Sequence, residues 1–93
     1  MTTPSAPTNL HVNYYAATSY NLSWDEPKDF ENNSQYIVYR DDKKLFAMPP
    51  GTPPSITLLD LQPGQTSISY VTQMNPQGVE SLPSNKVSIT TLG

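Results

Sequence analysis

The chain has no cysteine, four glycines, one tryptophan and one histidine in 93 residues, and only 14% of it is charged. Each scarcity excludes a class of chemistry. Without cysteine there is no disulfide, no thiol nucleophile and no thiolate zinc site, and both reducing and oxidising compartments stay open. Four scattered glycines do not make a phosphate-cradling loop, and no serine has a His/Asp partner signature around it. Five Lys and Arg within a net charge of −3 argue against nucleic-acid binding, which needs concentrated positive charge. No apolar run approaches the ~20 residues of a membrane helix, so membrane insertion is not expected. No proline-free window carries an i, i+3, i+4, i+7 apolar face with helix-favouring composition, so helix should be nearly absent.

What is present is proline, hydroxyl and aromatic. Ten prolines and six tyrosines accompany twenty Ser and Thr, while Leu, Ile, Val and Phe together reach nineteen. That apolar count lies near the ~20% level typical of disordered chains, but the low charge and the area that aromatic rings bury favour a folded domain. A domain of this size buries roughly 60–70% of its unfolded surface, enough for one core and not for a deep cleft beside it. The prolines fall between apolar stretches whose period is two: Leu10 and Val12, then Tyr20, Leu22 and Trp24, then Ile56 and Leu58, then Val87 and Ile89. Such alternation buries one face of a strand and wets the other. Strands are expected at 8–13, 18–24, 35–40, 44–48, 55–61, 67–74 and 85–91, with turns at Asp41-Asp42-Lys43 and Pro63-Gly64. Seven short strands in a chain of this length describe an all-β, antiparallel, immunoglobulin-like β-sandwich. The opening Met1 to Ala6 has neither the basic start nor the apolar middle of a signal peptide, and reads as a linker stub before a domain over 7–92.

Five fragments in order resemble the fibronectin type III family over essentially the whole chain. They are Pro7-Thr8-Asn9-Leu10-His11-Val12, Leu22-Ser23-Trp24-Asp25-Glu26-Pro27, Tyr36-Ile37-Val38-Tyr39-Arg40, Leu58-Leu59-Asp60-Leu61-Gln62-Pro63-Gly64, and Asn75 to Ser84. The resemblance implies a sheet of strands A, B and E on a sheet of strands C′, C, F and G. Trp24 should then fill the centre, Pro63-Gly64 the crossing between sheets, and Asn75 to Gly78 the F–G hairpin. One position departs from the family pattern: Ser67 stands where a tyrosine usually follows the Leu-x-Pro-Gly turn and bonds back to the corner backbone.

Strand F therefore has two readings. In the family register its inward set is Ser67, Ser69, Val71 and Gln73, and its outward set is Ile68, Tyr70, Thr72 and Met74. A bulge would instead turn Ile68 and Tyr70 inward, and it is the preferred reading, because burying those side chains is worth ~1.5–3 kcal/mol each and buried Ser hydroxyls need partners. If the family register holds, Ile37, Tyr39, Ile68, Tyr70 and Met74 share the outer face of strands C and F as a contact surface. Burial of both Tyr39 and Tyr70 would remove that surface.

The other polar candidates read as structure. Asp25, Glu26, Asp29 and Glu31 lack the ligand spacing of a calcium site and form a solvated loop; Asp41 and Asp42 beside Lys43 and Lys44 form a polar turn. His11 should face water and has no second nitrogen or sulfur ligand, so no metal or other cofactor is expected. Asn21-Leu22-Ser23 and Asn32-Asn33-Ser34 match the glycosylation pattern, a common chance occurrence here. The resemblance implies a non-catalytic module of a larger extracellular or virion protein, monomeric as an isolated domain. Its wording is closer to bacterial and phage members, which stand in secreted polysaccharide-degrading enzymes or on phage tail proteins as spacers and as contacts to neighbouring domains, cell-surface protein or polysaccharide. A eukaryotic receptor or adhesion module, and a purely structural spacer, are the alternatives.

Overall fold

The computed structural model describes residues 3–93, the Phe46 side chain excepted; Met1 and Thr2 of the expected stub lie outside the described residues. Seven strands are present: β1 (Thr8–Tyr15), β2 (Tyr20–Asp25), β3 (Gln35–Arg40), β4 (Lys43–Ala47), β5 (Ser55–Leu58), β6 (Thr66–Met74) and β7 (Val87–Thr90). They form a three-stranded sheet in the order β1-β2-β5 facing a four-stranded sheet in the order β4-β3-β6-β7. All pairings are antiparallel. The strand β3 coincides with its expected span, whereas β5 and β7 stop short of theirs.

Alternation builds the core. Tyr20, Leu22 and Trp24 of β2 pack with Tyr36 and Val38 of β3, Val71 of β6 and Ile89 of β7, while Met48 and Leu61 close the ends from loops. Trp24 meets Tyr36 edge-on at 5.0 Å, and Phe30 stacks on Tyr36 at 4.4 Å. The β3–β4 turn is tight because Asp41 and Asp42 both adopt positive φ, 52° and 64°, as the two-residue hairpins matched to strand twist require. Gly78, at φ 84°, closes the β6 hairpin with its N–H on Asn75 O.

The expected bulge in β6 is not there. Its register with β3 runs unbroken from Gln35↔Met74 to Arg40↔Ser69, so Ser67, Ser69, Val71 and Gln73 point inward and are buried. Ile68 is left 46% exposed. The hydroxyl penalty that favoured a bulge is met from the opposite sheet: the Tyr20 phenol crosses the sandwich and hydrogen-bonds Ser69 Oγ at 2.6 Å. Gln73 donates to Ser5 O at 2.8 Å and to Asp29 Oδ1 at 3.1 Å. Irregular register instead occurs in β1, between Thr8 and His11 and again between Val12 and Tyr14, and in the β3–β4 pairing between Val38 and Tyr39.

The missing corner tyrosine is replaced by a threonine from the far end of the chain. Thr91 Oγ1 donates to Gln62 O at 2.5 Å and accepts the Gln65 N–H at 3.0 Å, bracketing Pro63-Gly64. Gly64, at φ 69°, then donates to Leu92 O. At the opposite pole Pro4 and Pro7 are buried, and the Ser5 N–H donates to Asp29 Oδ2 at 3.0 Å. The chain thus enters at one end of a body whose longest dimension is 45 Å and leaves at the other.

Candidate functional site

The outer face of β3 and β6 carries the residues singled out from the sequence. Cross-strand partners Tyr39 and Tyr70 stack with centroids 4.8 Å apart and planes 7° from parallel. The unbroken register makes this pair possible, because directly opposed residues on one face bring their side chains together. Both rings are half-buried, so the condition that would have removed the surface is not met. Ile68 and the half-buried Met74 flank them on β6.

Ile37 is a correction. It shares this face, opposite Thr72 and Ala47, but is only 1% exposed and lies apart from the main core cluster. Glu80 reaches across the face at this point: its Oε2 accepts hydrogen bonds from Thr72 Oγ1 at 2.6 Å and from the Tyr39 hydroxyl. Ile37 is therefore support beneath the surface and not part of what a partner could touch.

Charged groups rim the aromatic pair. The Lys86 ammonium lies 5.3 Å from the Tyr70 centroid, within cation–π range, and the Tyr70 hydroxyl faces Asp42 at 3.4 Å. The hydrogen bond to Glu80, followed by burial, pushes the Tyr39 phenol up to about 12. Burial and the Asp42 carboxylate raise that of Tyr70. Both phenols are thus neutral donors at physiological pH, aimed at carboxylates of the rim. Glu80, Asp42 and Lys86 were not anticipated as parts of this surface. The usable signal for Glu80 was its place just after the Asn75 to Gly78 hairpin; an isolated bridge to Met74 folds it back over β6.

The remaining candidates stay separate from this face. Asp25, at the end of β2, and Glu26, Asp29 and Glu31 of the following loop are exposed; Asp29 serves the Ser5 and Gln73 contacts, and those hydrogen bonds, Gln73 first, lower its pKa. Among the described residues no group of three or more His, Asp or Glu is placed to hold a metal ion. His11 is exposed, with Nδ1 2.7 Å from Asn9 O. Asn21 Nδ2 is committed to Ile56 O and Thr57 Oγ1 within the sheet.

The chain has the fibronectin type III fold. It superposes with a TM-score of 0.78 on a fibronectin type III domain of human fibronectin type III domain containing protein 3, at 22% identity over 99% of this chain and 89% of that one. Similar domains occur within longer bacterial proteins. One is a Yersinia enterocolitica family 28 exopolygalacturonase (TM-score 0.81, 17% identity, 96% of this chain, 20% of that one). Another is the Clostridium perfringens spore cortex lytic enzyme SleM (TM-score 0.69, 19% identity, 97% of this chain, 28% of that one). No family model matches the sequence.

Proposed function

We propose that this domain is a non-catalytic accessory module of a larger secreted or virion protein, a spacer that also holds a partner protein on the outer face of β3 and β6. The stacked Tyr39–Tyr70 pair inside a rim of Glu80, Asp42 and Lys86 carries this reading. Aromatic centres with charged edges of both signs are the composition of protein contact surfaces. Stacking of a sugar on these tyrosines is the weaker reading, because the rings already cover each other and both hydroxyls face protein carboxylates. The entry and exit of the chain at opposite poles suit a spacer. Two neighbours whose matched part is a fraction of a longer enzyme support a module role in a polysaccharide-acting or cell-wall-acting protein.

The test is retention of the labelled domain on chitin, cellulose, isolated cell walls and immobilised cell-surface protein, beside a Tyr39→Ala/Tyr70→Ala variant checked for fold by circular dichroism. Retention on the protein surface that the double variant loses is expected. Equal retention of both forms, or none anywhere, sinks the contact reading and leaves the spacer.

A further inference from the structure

The seam between β1 and β7 is closed at both ends and open in the middle. At one end the Asn85 side chain occupies both backbone groups of Leu10: the Leu10 N–H donates to Asn85 Oδ1 and Asn85 Nδ2 donates to Leu10 O, each at 2.9 Å. At the other end the Leu92 N–H donates to Ala16 O at 3.1 Å. Between these closures lies a groove of about 520 Å³ lined by Val12–Tyr15 and Ser88–Thr90, with no charged side chain among them. Among the described residues β1 pairs only with β2 and β7 only with β6, so both rims of the groove are strand edges.

The direction of the backbone groups follows from the neighbouring bonds. The Ile68 N–H and C=O are both taken by Asp41, at 3.0 and 2.8 Å, on the side away from β7. The opposed pair Ile68↔Ser88 therefore exchanges no backbone bonds, and Ser88 turns its N–H and C=O to the groove, as does Thr90 two residues on. On β2 the Trp24 N–H bonds Pro54 O toward β5, so Leu22 and Tyr20 face β5 as well; Val12 and Tyr15 opposite them turn their backbone groups outward. The irregularity between Val12 and Tyr14 has a second effect. It sets Tyr15 opposite inward-facing Tyr20, on the same parity as Val12, so the Tyr15 ring stands at the mouth of the seam, 52% exposed.

We propose that this seam is a strand acceptor: an extended, uncharged peptide segment of a partner protein pairs with Ser88 and Thr90 on the β7 edge and seats an apolar side chain against Val12, Ile89 and Tyr15. The unmet groups are backbone donors and acceptors repeating every second residue, which an extended backbone matches and a sugar does not. The neutral lining gives a charged side chain no partner inside the groove. The length between the closures admits about three to four extended residues at ~3.3 Å each.

The experiment is a titration of the ¹⁵N-labelled domain with the capped peptide acetyl-Thr-Val-Thr-amide, which fits between the closures. Shifts confined to β7 and Val12–Tyr15, with slowed hydrogen exchange at Ser88 and Thr90, are expected. Ser88→Pro removes the donor facing the groove without touching a bond to β6, and should weaken binding roughly tenfold or more. Val12→Lys is the second variant: it leaves the β7 backbone intact, puts an unpaired charge on the floor, and should abolish binding while the Tyr39 and Tyr70 resonances stay in place. The Tyr39→Ala/Tyr70→Ala variant should bind the peptide unchanged, which separates this site from the β3–β6 face. Absence of shifts at millimolar peptide, or shifts indifferent to Ser88→Pro and Val12→Lys, overturns the proposal. So does the same footprint with cellohexaose, or a dimer protecting these amides without peptide, each of which assigns the groove to a different occupant.

Discussion

Replacing Tyr20 by Phe removes one oxygen from the middle of the sandwich and strands Ser69 Oγ, which is fully buried and loses its 2.6 Å partner. A buried polar atom left unpaired costs about 1–3 kcal/mol, and Ser69→Ala strands the Tyr20 hydroxyl at a similar cost. In a domain of this size each kilocalorie lowers the melting temperature by roughly 4–8 °C, so each single variant should be visibly destabilised. The double variant Tyr20→Phe/Ser69→Ala removes both polar groups together and leaves none unpaired. Its loss should fall short of the sum of the singles by about 1–3 kcal/mol. Urea unfolding followed by fluorescence of Trp24, the sole tryptophan, and by circular dichroism reads all four proteins. Losses that add to within about 0.3–0.5 kcal/mol, or a neutral single variant, would show that this bond does not offset the burial of serines in β6.

Three further outcomes follow from the geometry. Thr91→Val removes the hydroxyl that brackets the Pro63-Gly64 corner and should cost about 1–2 kcal/mol in unfolding experiments, with Thr91→Ser recovering most of it. Tyr39, pushed up to about 12, titrates above an unfolded tyrosine near 10; its contact with Glu80 therefore stabilises fully below pH 10 and is lost between pH 10 and 12. Phenolate absorbance should show that late component, Glu80→Gln should move it down, and Tyr39→Phe should delete it. Asp29 has its pKa lowered from 3.8, so its hold on Ser5 is present above that pH and lost as acid carries the solution through the depressed value. The Ser5 amide resonance should move with it, and Asp29→Asn should remove the pH dependence.

Most of the fold was legible because proline position and two-residue alternation are local signals. The seven strands stood on them, while the central Trp24 and the Pro63-Gly64 crossing came with the resemblance to the fibronectin type III family. What could not be read is long-range. The register of β6 turned on whether a buried serine would find a partner, and that partner, Tyr20, is 49 residues away on the other sheet. The corner substitute Thr91 lies 29 residues beyond the carbonyl it binds. Ile37 has the parity of an exposed residue and is nonetheless buried, opposite Thr72 and Ala47 and beside the Tyr39 and Thr72 bonds to Glu80, which no pattern within β3 reveals. The placement of Tyr39 and Tyr70 on one outer face was legible, but only in the reading ranked second; their direct pairing was not.

The two closures of the β1–β7 seam also set how this domain would carry load. Leu10 lies beside Asn85 and Ala16 beside Leu92, so β1 and β7 run in the same direction although they belong to different sheets. Tension applied through the two ends pulls β1 toward the Ser5 pole and β7 toward the Gly64 pole. The Leu10–Asn85 pair, the Ala16–Leu92 bond and the β1–β2 ladder are then strained together in shear, and none can peel before the others. A module strung between two larger bodies would in this way transmit a pull along its 45 Å length as a stiff link, yielding in one abrupt step.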